Sequence, residues 1–273
     1  MSFLEIAERY DAFLCDLWGV IHDGDNLYPN VLESLGALHG MGKKVVFLSN
    51  APRLAESIFT RMDKMGVKRE WYLGGMTSGE AALKYMQSSE FGVQSSDKCY
   101  YLGQKKDEPL LDKIPQRRVL KLEDADFILC SHYENLQQDY TEIRPLVEKA
   151  ASLKLPMLCI NPDIEVIKLD GTRIYSAGHI AEKYKKLGGQ VDYIGKPYPF
   201  VFELGMEMLG NPPKDKVLMI GDNVMTDIKG GKAFGIDTVF ITQGILQNQK
   251  GDETPLEYCQ AKGVIPTHIE ESL

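Results

Sequence analysis

The segment "DAFLCDLWGV" (residues 11–20) contains a short apolar run that ends in a single carboxylate, Asp16. The Phe, Leu and Cys residues before it are typical of a strand that is buried on both faces of a parallel sheet. Trp18, a bulky indole, follows two residues later, where the chain is expected to turn away from the strand. The chemistry of these two side chains depends on what the rest of the chain brings to the same strand end.

Runs of the same kind alternate with helical patterns in both outer parts of the chain. Further strands are predicted at "KVVFLSN" (44–50), "DYIGK" (192–196), "KVLMIGD" (216–222) and "TVFIT" (238–242). Apolar residues three and four apart predict helices over residues 31–43, 53–67, 199–210 and 227–235. This alternation predicts an α/β fold with a doubly wound parallel sheet that is covered by helices on both faces.

The middle of the chain has an alternation of its own. Helical patterns at "AALKYM" and "YTEIRPLVEKAASL" alternate with strand patterns at "KCYYLG", "DFILCS" and "PMLCIN". The pair Asp170-Gly171 predicts a hairpin turn. We therefore predict a second α/β domain, residues 78–189, inserted into a core domain of residues 1–77 and 190–273.

Composition excludes several classes of partner and site. A formal net charge of -8 argues against a dedicated surface for nucleic acid or for an anionic membrane. The five cysteines are widely spaced and form no C-x-x-C pair, so neither a zinc site nor a disulfide framework is indicated. Reduced thiols, together with the absence of an apolar segment of signal or membrane-spanning length, predict a cytoplasmic protein.

Polar side chains stand at the ends of the predicted core strands. In an open parallel sheet, ligands bind outside the carboxyl ends of the strands, so these side chains are expected to share one edge. A hydroxyl and an ammonium group suit an anion, whereas clustered carboxylates suit a hard cation such as Mg²⁺. Together they predict a phosphoryl group bound beside Mg²⁺. The residues concerned are Asp16, Ser49, Asn50, Lys196, Asp222 and Asp227.

Four short motifs in a fixed order resemble a known family. "DLWGV", "LSN", "IGKP" and "IGDNVMTD" resemble the motifs of the haloacid dehalogenase-like (HAD) superfamily. The long insertion between the second and third motifs resembles class IIA, a branch that includes sugar-phosphate, nucleotide and para-nitrophenyl phosphatases. "INPD" (160–163) and "SAGHIAEKY" (176–184) resemble the distal cap and the return to the core in that branch. The resemblance implies a Rossmann-like core, a substrate-selecting cap and Mg²⁺-dependent hydrolysis of a small phosphorylated metabolite.

The resemblance also implies a role for each matching residue. Asp16 would be the nucleophile that forms an aspartyl-phosphate, which water then hydrolyses. Ser49, backbone amides near Asn50, and Lys196 would bind the phosphoryl oxygens and offset their charge during transfer. The resemblance implies that Asp16, the main-chain carbonyl of Trp18 and Asp222 bind Mg²⁺. It implies that Asp227 supports the ion either by binding it directly or by contacting the residues that bind it. Relatives of this kind can dimerise through the cap, so the resemblance is also compatible with a homodimer.

Trp18 departs from the pattern of the superfamily's phosphatases. They carry a second Asp at this position, which protonates the leaving oxygen and later activates water, whereas an indole cannot transfer a proton at neutral pH. The lost general acid–base catalysis is worth roughly a hundred- to ten-thousand-fold. Either the substrate's leaving group needs no acid, or another acid substitutes, with His22 and Asp23 as the nearest candidates, or the protein only binds its ligand. Trp18 itself is expected to form part of the pocket wall and to stack on a substrate.

These observations favour a phosphatase of modest rate, with a non-catalytic phosphometabolite-binding or regulatory protein as the alternative. Cleavage of a carbon–halogen bond is disfavoured because it needs no Mg²⁺. Cleavage of a carbon–phosphorus bond is disfavoured because no amine is clearly placed to form a Schiff base. In the insertion, His132 and Tyr133 follow a predicted strand, where a lid could touch substrate. A polar turn is the simpler interpretation of that pair.

Overall fold

Two parallel sheets flanked by helices form the fold. The structure, a computed structural model, describes residues 2–88, 92–135, 138–167, 172–244, 246 and 253–273. Within them the helices are α1 (Phe3–Ala7), α2 (Val31–Gly40), α3 (Glu56–Lys64), α4 (Ser78–Gln87), α5 (Tyr140–Ser152), α6 (Ala177–Lys186), α7 (Pro199–Leu209), α8 (Lys229–Phe234) and α9 (Pro255–Ala261). The strands are β1 (Ala12–Cys15), β2 (Lys44–Ser49), β3 (Gly74–Thr77), β4 (Lys98–Leu102), β5 (Arg117–Val119), β6 (Phe127–Cys130), β7 (Met157–Cys159), β8 (Glu165–Ile167), β9 (Arg173–Tyr175), β10 (Val191–Tyr193), β11 (Val217–Gly221), β12 (Asp237–Ile241) and β13 (His268–Glu270).

The larger sheet is parallel throughout and has the strand order β13-β12-β11-β1-β2-β3. Alternate residues of the central strand β1 enter different cores. Ala12 and Leu14 pack in the cluster that contains α7, whereas Phe13 and Cys15 pack in the cluster that contains α1 and α2. Helices therefore cover both faces, which confirms the predicted doubly wound α/β core.

The register of β1 brings the ends of its two neighbours to the same edge of the sheet. Cys15 pairs with Ile220 of β11 on one side and with Phe47 of β2 on the other. The segments that follow these pairs therefore leave the sheet side by side. This is the edge at which the polar residues of β1, β2 and β11 were expected to meet.

The second sheet is also parallel and has the order β10-β7-β6-β4-β5. Four of its strands, β4 to β7, lie in the predicted insertion. The fifth strand, β10 (Val191–Tyr193), comes after the predicted insertion in the chain but pairs with β7 of this sheet. The prediction that residues 192–196 form a strand of the core sheet was therefore wrong, and Lys196 reaches the core from a loop. The predicted division at residues 77/78 and 189/190 stays a prediction, and this pairing favours a return to the core after Tyr193.

A separate two-stranded antiparallel sheet, formed by β8 and β9, lies between β7 and α6 along the chain. Glu165 of β8 pairs with Tyr175 of β9, as expected for strands joined by a tight turn. The predicted Asp170-Gly171 turn itself lies outside the described residues. The predicted helix at 227–235 is divided, because a π-helical turn (Val224–Ile228) precedes α8.

The burial of the cysteines and the hydropathy of the helices are consistent with the sequence analysis. All five cysteines are buried and free of disulfides. Within the described residues, no helix has both the length and the apolar character needed to cross a bilayer. The cysteine side chains therefore act as small core residues.

Candidate active site

Lys196 connects two carboxylates at the edge of the core sheet. Its Nζ lies 2.7 Å from Oδ1 of Asp16 and 2.7 Å from Oδ1 of Asp227, and it donates to the carbonyl of Leu48 at 3.0 Å. Only 2% of the lysine is exposed. A buried ammonium group is tolerated where ionised partners surround it, as they do here. The structure thus brings together the predicted residues that follow β1 and β11 with the lysine.

Asn50 holds the main chain of this lysine in place. Its Oδ1 accepts the N–H of Lys196 at 2.7 Å, and its Nδ2 donates to the carbonyl of the same residue at 3.0 Å. Nδ2 also donates to Oδ1 of Asp163, a residue of the insertion, at 2.9 Å. Asn50 therefore fixes the loop that carries Lys196 and ties it to the inserted domain.

Three carboxylates crowd together beside the lysine. Asp16, Asp222 and Asp227 each offer an oxygen within 4.8 Å of the others. The backbone leaves just enough room for them, because a Cβ placed on Gly19 or on Gly244 would overlap the carboxylate of Asp222. This set of hard oxygen donors fits Mg²⁺, because when all three carboxylates are ionised Lys196 balances one of their charges and a divalent cation would balance the other two.

The segment after β11 positions two of these carboxylates. Asp222 follows the last residue of β11, and the side chain of Asn223 accepts the N–H of Met225 at 2.9 Å, which caps the π-helical turn. Asp227 lies on that turn, fully buried, and its Oδ2 accepts the N–H of Asn223 at 3.1 Å. The turn thus aims Asp227 back at Lys196.

Burial and charge shift the protonation of this cluster. Burial raises the pKa of Asp16 to about 7, although the ammonium of Lys196 acts in the opposite direction. Burial alone would lower the pKa of Lys196, but its ion pairs with Asp16 and Asp227 raise that pKa above the ordinary value. Lys196 is therefore a cation at neutral pH, whereas Asp16 is close to half protonated there when no metal ion is bound.

A cavity of about 670 Å³ opens above this cluster, and both domains line it. Ser49 and Trp18 lie in its wall, half-buried. The Oγ of Ser49 accepts the N–H of Ala51 at 3.2 Å, so its own O–H is available as a donor to an anion. The predicted substrate-binding residues are thus gathered around one concave space.

His22 is not brought into this space. It is buried, its Nδ1 accepts the N–H of Gly24 at 3.0 Å, and it is absent from the described residues that line the cavity. Burial, with help from Arg61, lowers its pKa to about 4, so the ring is neutral at pH 7. Its assignment as a substitute acid therefore stays a prediction without geometric support.

Asp23 does line the cavity, but its carboxylate is occupied by its own turn. Oδ1 accepts the N–H groups of Asp25 at 2.9 Å and of Asn26 at 2.7 Å. These backbone hydrogen bonds outweigh partial burial and lower its pKa. A carboxylate held in its ionised form is a poor proton donor.

The segments "INPD" and "SAGHIAEKY" pointed to part of the cavity wall that the inserted domain supplies, since they contain Asn161, Asp163 and Ser176. Lys106 gave no signal, because it lies in a 3-10 segment (Lys105–Lys113) that was not predicted. His132 was noted as a residue of a polar turn, and it does line the cavity. Arg53 follows the "LSN" motif and also lies in the wall.

Comparisons with known proteins agree with this geometry. The family model described as haloacid dehalogenase-like hydrolase matches residues 13–114, and one described as HAD-hydrolase-like matches residues 193–270. An acid sugar phosphatase of Staphylococcus aureus is 24% identical over 271 residues, which cover 97% of this chain and 96% of the relative.

Solved structures match over almost the whole chain. A haloacid dehalogenase-like hydrolase from Brucella suis superposes with a TM-score of 0.85 and 25% identity, covering 100% of this chain and 98% of the other. A 4-nitrophenylphosphatase from Thermotoga maritima superposes with a TM-score of 0.76 and 25% identity, covering 98% and 96% of the two chains.

The fold and the site define a class of α/β proteins in which acidic residues at strand ends and a buried lysine lie beneath an inserted cap. The chain belongs to the haloacid dehalogenase-like hydrolase superfamily, in its class IIA branch, as the four motifs predicted.

Proposed function

We propose that the protein is a Mg²⁺-dependent phosphatase that hydrolyses a small phosphorylated metabolite through an aspartyl-phosphate intermediate on Asp16. The observation that carries this proposal is the position of Lys196, whose ammonium lies 2.7 Å from both Asp16 and Asp227. A phosphoryl group that contacts Asp16 would also contact the fixed ammonium group of Lys196 and lie beside the carboxylate cluster.

The chemistry follows from the residues around Asp16. Its carboxylate oxygen forms a bond to phosphorus while the bond from phosphorus to the ester oxygen breaks, and water later cleaves the acyl-phosphate to regenerate the carboxylate. Lys196 and the O–H of Ser49 stabilise charge on the phosphoryl oxygens. Asp16, Asp222, Asp227 and the main-chain carbonyl of Trp18 would hold Mg²⁺, which neutralises phosphoryl charge when bound.

Trp18 limits which substrates react quickly. His22 does not line the cavity, and Asp23, which does, is held in its ionised form by the backbone N–H groups of its own turn. Substrates whose leaving group is already a weak base, such as aryl and acyl phosphates, need no proton at that step. We therefore expect a phosphatase of modest rate that favours such leaving groups.

The names of similar proteins support the same substrate class. The Staphylococcus aureus relative is called an acid sugar phosphatase, and the Thermotoga maritima structure is called a 4-nitrophenylphosphatase. We extend phosphate-monoester hydrolysis to this chain on those similarities and on the residues of the site. A cytoplasmic location and a homodimer stay predictions.

The test is phosphate release from para-nitrophenyl phosphate with and without Mg²⁺. Asp16→Asn should abolish the Mg²⁺-dependent release, because an amide cannot act as the nucleophile. Asp215→Asn, which makes the same change on the exposed surface, is the matched control and should release phosphate at the wild-type rate. Retention of activity in Asp16→Asn would contradict the proposal.

The alternative, a phosphometabolite-binding or regulatory protein, is motivated by Trp18. The same assay separates the two functions, because a pure binding protein gives no Mg²⁺-dependent turnover even of an activated aryl phosphate. Saturable binding of a phosphorylated ligand with zero turnover would favour this alternative.

A further inference from the structure

Basic and hydrogen-bonding side chains form a second group in the cavity, apart from the carboxylate cluster. We call this group the cap-side cluster; it consists of Arg53, Lys106 and His132. Arg53 follows the "LSN" motif, whereas the other two belong to the inserted domain. None of these residues takes part in the chemistry proposed for Asp16.

His132 contributes a neutral donor with a defined tautomer. Its Nδ1 accepts the backbone N–H of Tyr133 at 2.9 Å and lies 3.2 Å from Nε2 of Gln104, so the ring proton resides on Nε2. Only 9% of the residue is exposed. Burial lowers its pKa to about 4, and the nearby charges of Lys106 and Arg53 act in the same direction.

Arg53 retains donors beyond its ion pair. Its Nε lies 3.1 Å from Oδ1 of Asp107, a carboxylate that is 1% exposed, so that this pair uses one of the five N–H groups of the guanidinium. The ion pair fixes the guanidinium beside the cavity. Arg53 can therefore bind a ligand oxygen without releasing Asp107.

Two acidic residues that the inserted domain contributes to the same wall have partners outside the cap-side cluster. Asp163 accepts from the side chain of Asn50 at 2.9 Å, and Glu165 pairs with Arg173 at 3.0 Å. Arg53 and Lys106 both interact with the buried carboxylate of Asp107, so the two cations exceed it by one positive charge beside the neutral N–H of His132. An anion in this partly enclosed space is bound more strongly than on the open surface.

We propose that the cap-side cluster binds a second anionic group of the substrate, so that the preferred substrate is a small phosphate monoester that also carries a carboxylate or a second phosphate. This inference rests on the proposed phosphatase function. The ester phosphate occupies the site around Asp16, Ser49 and Lys196, and the second anion contacts Lys106, Arg53 and His132. Recognition by the cap then selects among phosphorylated metabolites by charge as well as by size.

Matched substrates test the proposal. 3-Phosphoglycerate and glycerol 3-phosphate differ by one carboxylate, and 1,3-propanediol bisphosphate and propyl phosphate differ by a second phosphate group. For each pair the two-anion substrate should have a KM about tenfold lower at similar kcat, the usual effect of one charge-assisted hydrogen bond. Comparing the two pairs shows whether the carboxylate or the phosphate is preferred.

Lys106→Gln and Lys105→Gln form a matched pair of variants. Both lysines are exposed neighbours in the same 3-10 segment, but only Lys106 lines the cavity. Lys106→Gln should raise the KM about tenfold for two-anion substrates and should change the KM for para-nitrophenyl phosphate by a much smaller factor. Lys105→Gln should change neither.

Failure of this inference is distinguishable from failure of the proposed function. If the wild type hydrolyses para-nitrophenyl phosphate but shows no preference within either pair, or if both lysine variants behave alike, the cap-side cluster does not bind a second anion. If no substrate is hydrolysed, calorimetric titration of the wild type with 3-phosphoglycerate and glycerol 3-phosphate still shows whether the cap-side cluster binds a second anion. Equal Kd values in that titration would overturn the inference.

Discussion

Trp18 forms part of the cavity wall two positions after the proposed nucleophile, with its ring half-buried. Departure of an alkoxide from phosphorus normally requires a proton, whereas a nitrophenolate leaves without one. The indole cannot supply that proton, and the carboxylate of Asp23 is held ionised by its own turn. At the scale of one residue, we expect this position to decide which leaving groups the site tolerates.

Trp18→Asp should accelerate hydrolysis of alkyl phosphates about a hundredfold, because it restores a proton donor at the cavity wall. Hydrolysis of para-nitrophenyl phosphate should change much less. The measurement is kcat on glycerol 3-phosphate and on para-nitrophenyl phosphate. Trp18→Asn is the control for lost bulk, and an equal gain in that variant would show that space, not proton transfer, was limiting.

Two buried histidines should make the stability depend on pH. The pKa of His22 and of His132 is lowered to about 4, chiefly by burial, whereas an unfolded histidine titrates near 6.5. Above pH 6.5 each is neutral in both states and has no effect. Between about pH 6.5 and 4 only the unfolded state binds the proton, so each histidine costs up to about 3 kcal/mol of stability.

Urea unfolding at pH 7.5 and pH 5 checks this expectation. The double variant His22→Asn, His132→Gln should lose less stability between the two values than the wild type, since neither replacement titrates. An identical loss in both proteins would mean that other groups set the acid sensitivity.

At the scale of the element, the turn after β1 determines whether the carboxylates can approach. Gly19 has φ +86°, and a Cβ there would overlap the carboxylate of Asp222. Gly42 has a similar φ of +70°, but a Cβ there would meet nothing within 4 Å. Comparing a substitution at Gly19 with one at Gly42 therefore separates the effect of backbone strain from the effect of displacing Asp222.

Gly19→Ala should weaken Mg²⁺ binding at least about tenfold, because Asp222 has to move. Gly42→Ala should cost only the strain of a positive φ, about 1 kcal/mol of stability, with unchanged Mg²⁺ affinity. Calorimetric titration with Mg²⁺ measures both affinities. Equal affinities would show that Asp222 is not held by this close approach.

Element prediction succeeded where the apolar pattern was strong. β1, β2, β11 and β12 lie where their runs predicted them, because such strands are buried on both faces. β3, with the sequence "GGMT", was missed because glycines give no strand pattern. Residues 191–193 do form a strand, but local pattern does not specify which sheet a strand joins.

At the scale of the whole molecule, the cap and the core share a contact around the phosphate site. The hydroxyl of Ser78 lies 2.8 Å from the carbonyl of Asn50 and 2.6 Å from that of Ile160, and it is fully buried. Asn50 also bonds Asp163, and Arg53 pairs with Asp107. These contacts hold the cap against the segment that follows β2, which contains Asn50 and Arg53.

Mg²⁺ should raise the melting temperature of the wild type, because it would bind the carboxylates that folding brings together after β1 and β11 and would not bind the unfolded chain there. At a hundred times Kd the gain is about 2.7 kcal/mol, or about 5–10 °C for a chain of this size. Asp222→Asn, which removes one carboxylate of the cluster, should gain little from Mg²⁺. Differential scanning calorimetry with and without Mg²⁺ measures both effects. A Mg²⁺ shift that persists in Asp222→Asn would place the ion elsewhere.

The sequence by itself determined the α/β class, the carboxylates and hydroxyl at the strand ends, and the family motifs. These properties depend on local runs of apolar residues and on the residue that ends each run. Only the tertiary structure decided that Lys196 arrives from a loop beside the second sheet, that His22 turns away from the cavity, and that Lys106 and His132 come to face it. Such placements depend on packing between distant segments, and no local pattern of residues encodes that packing.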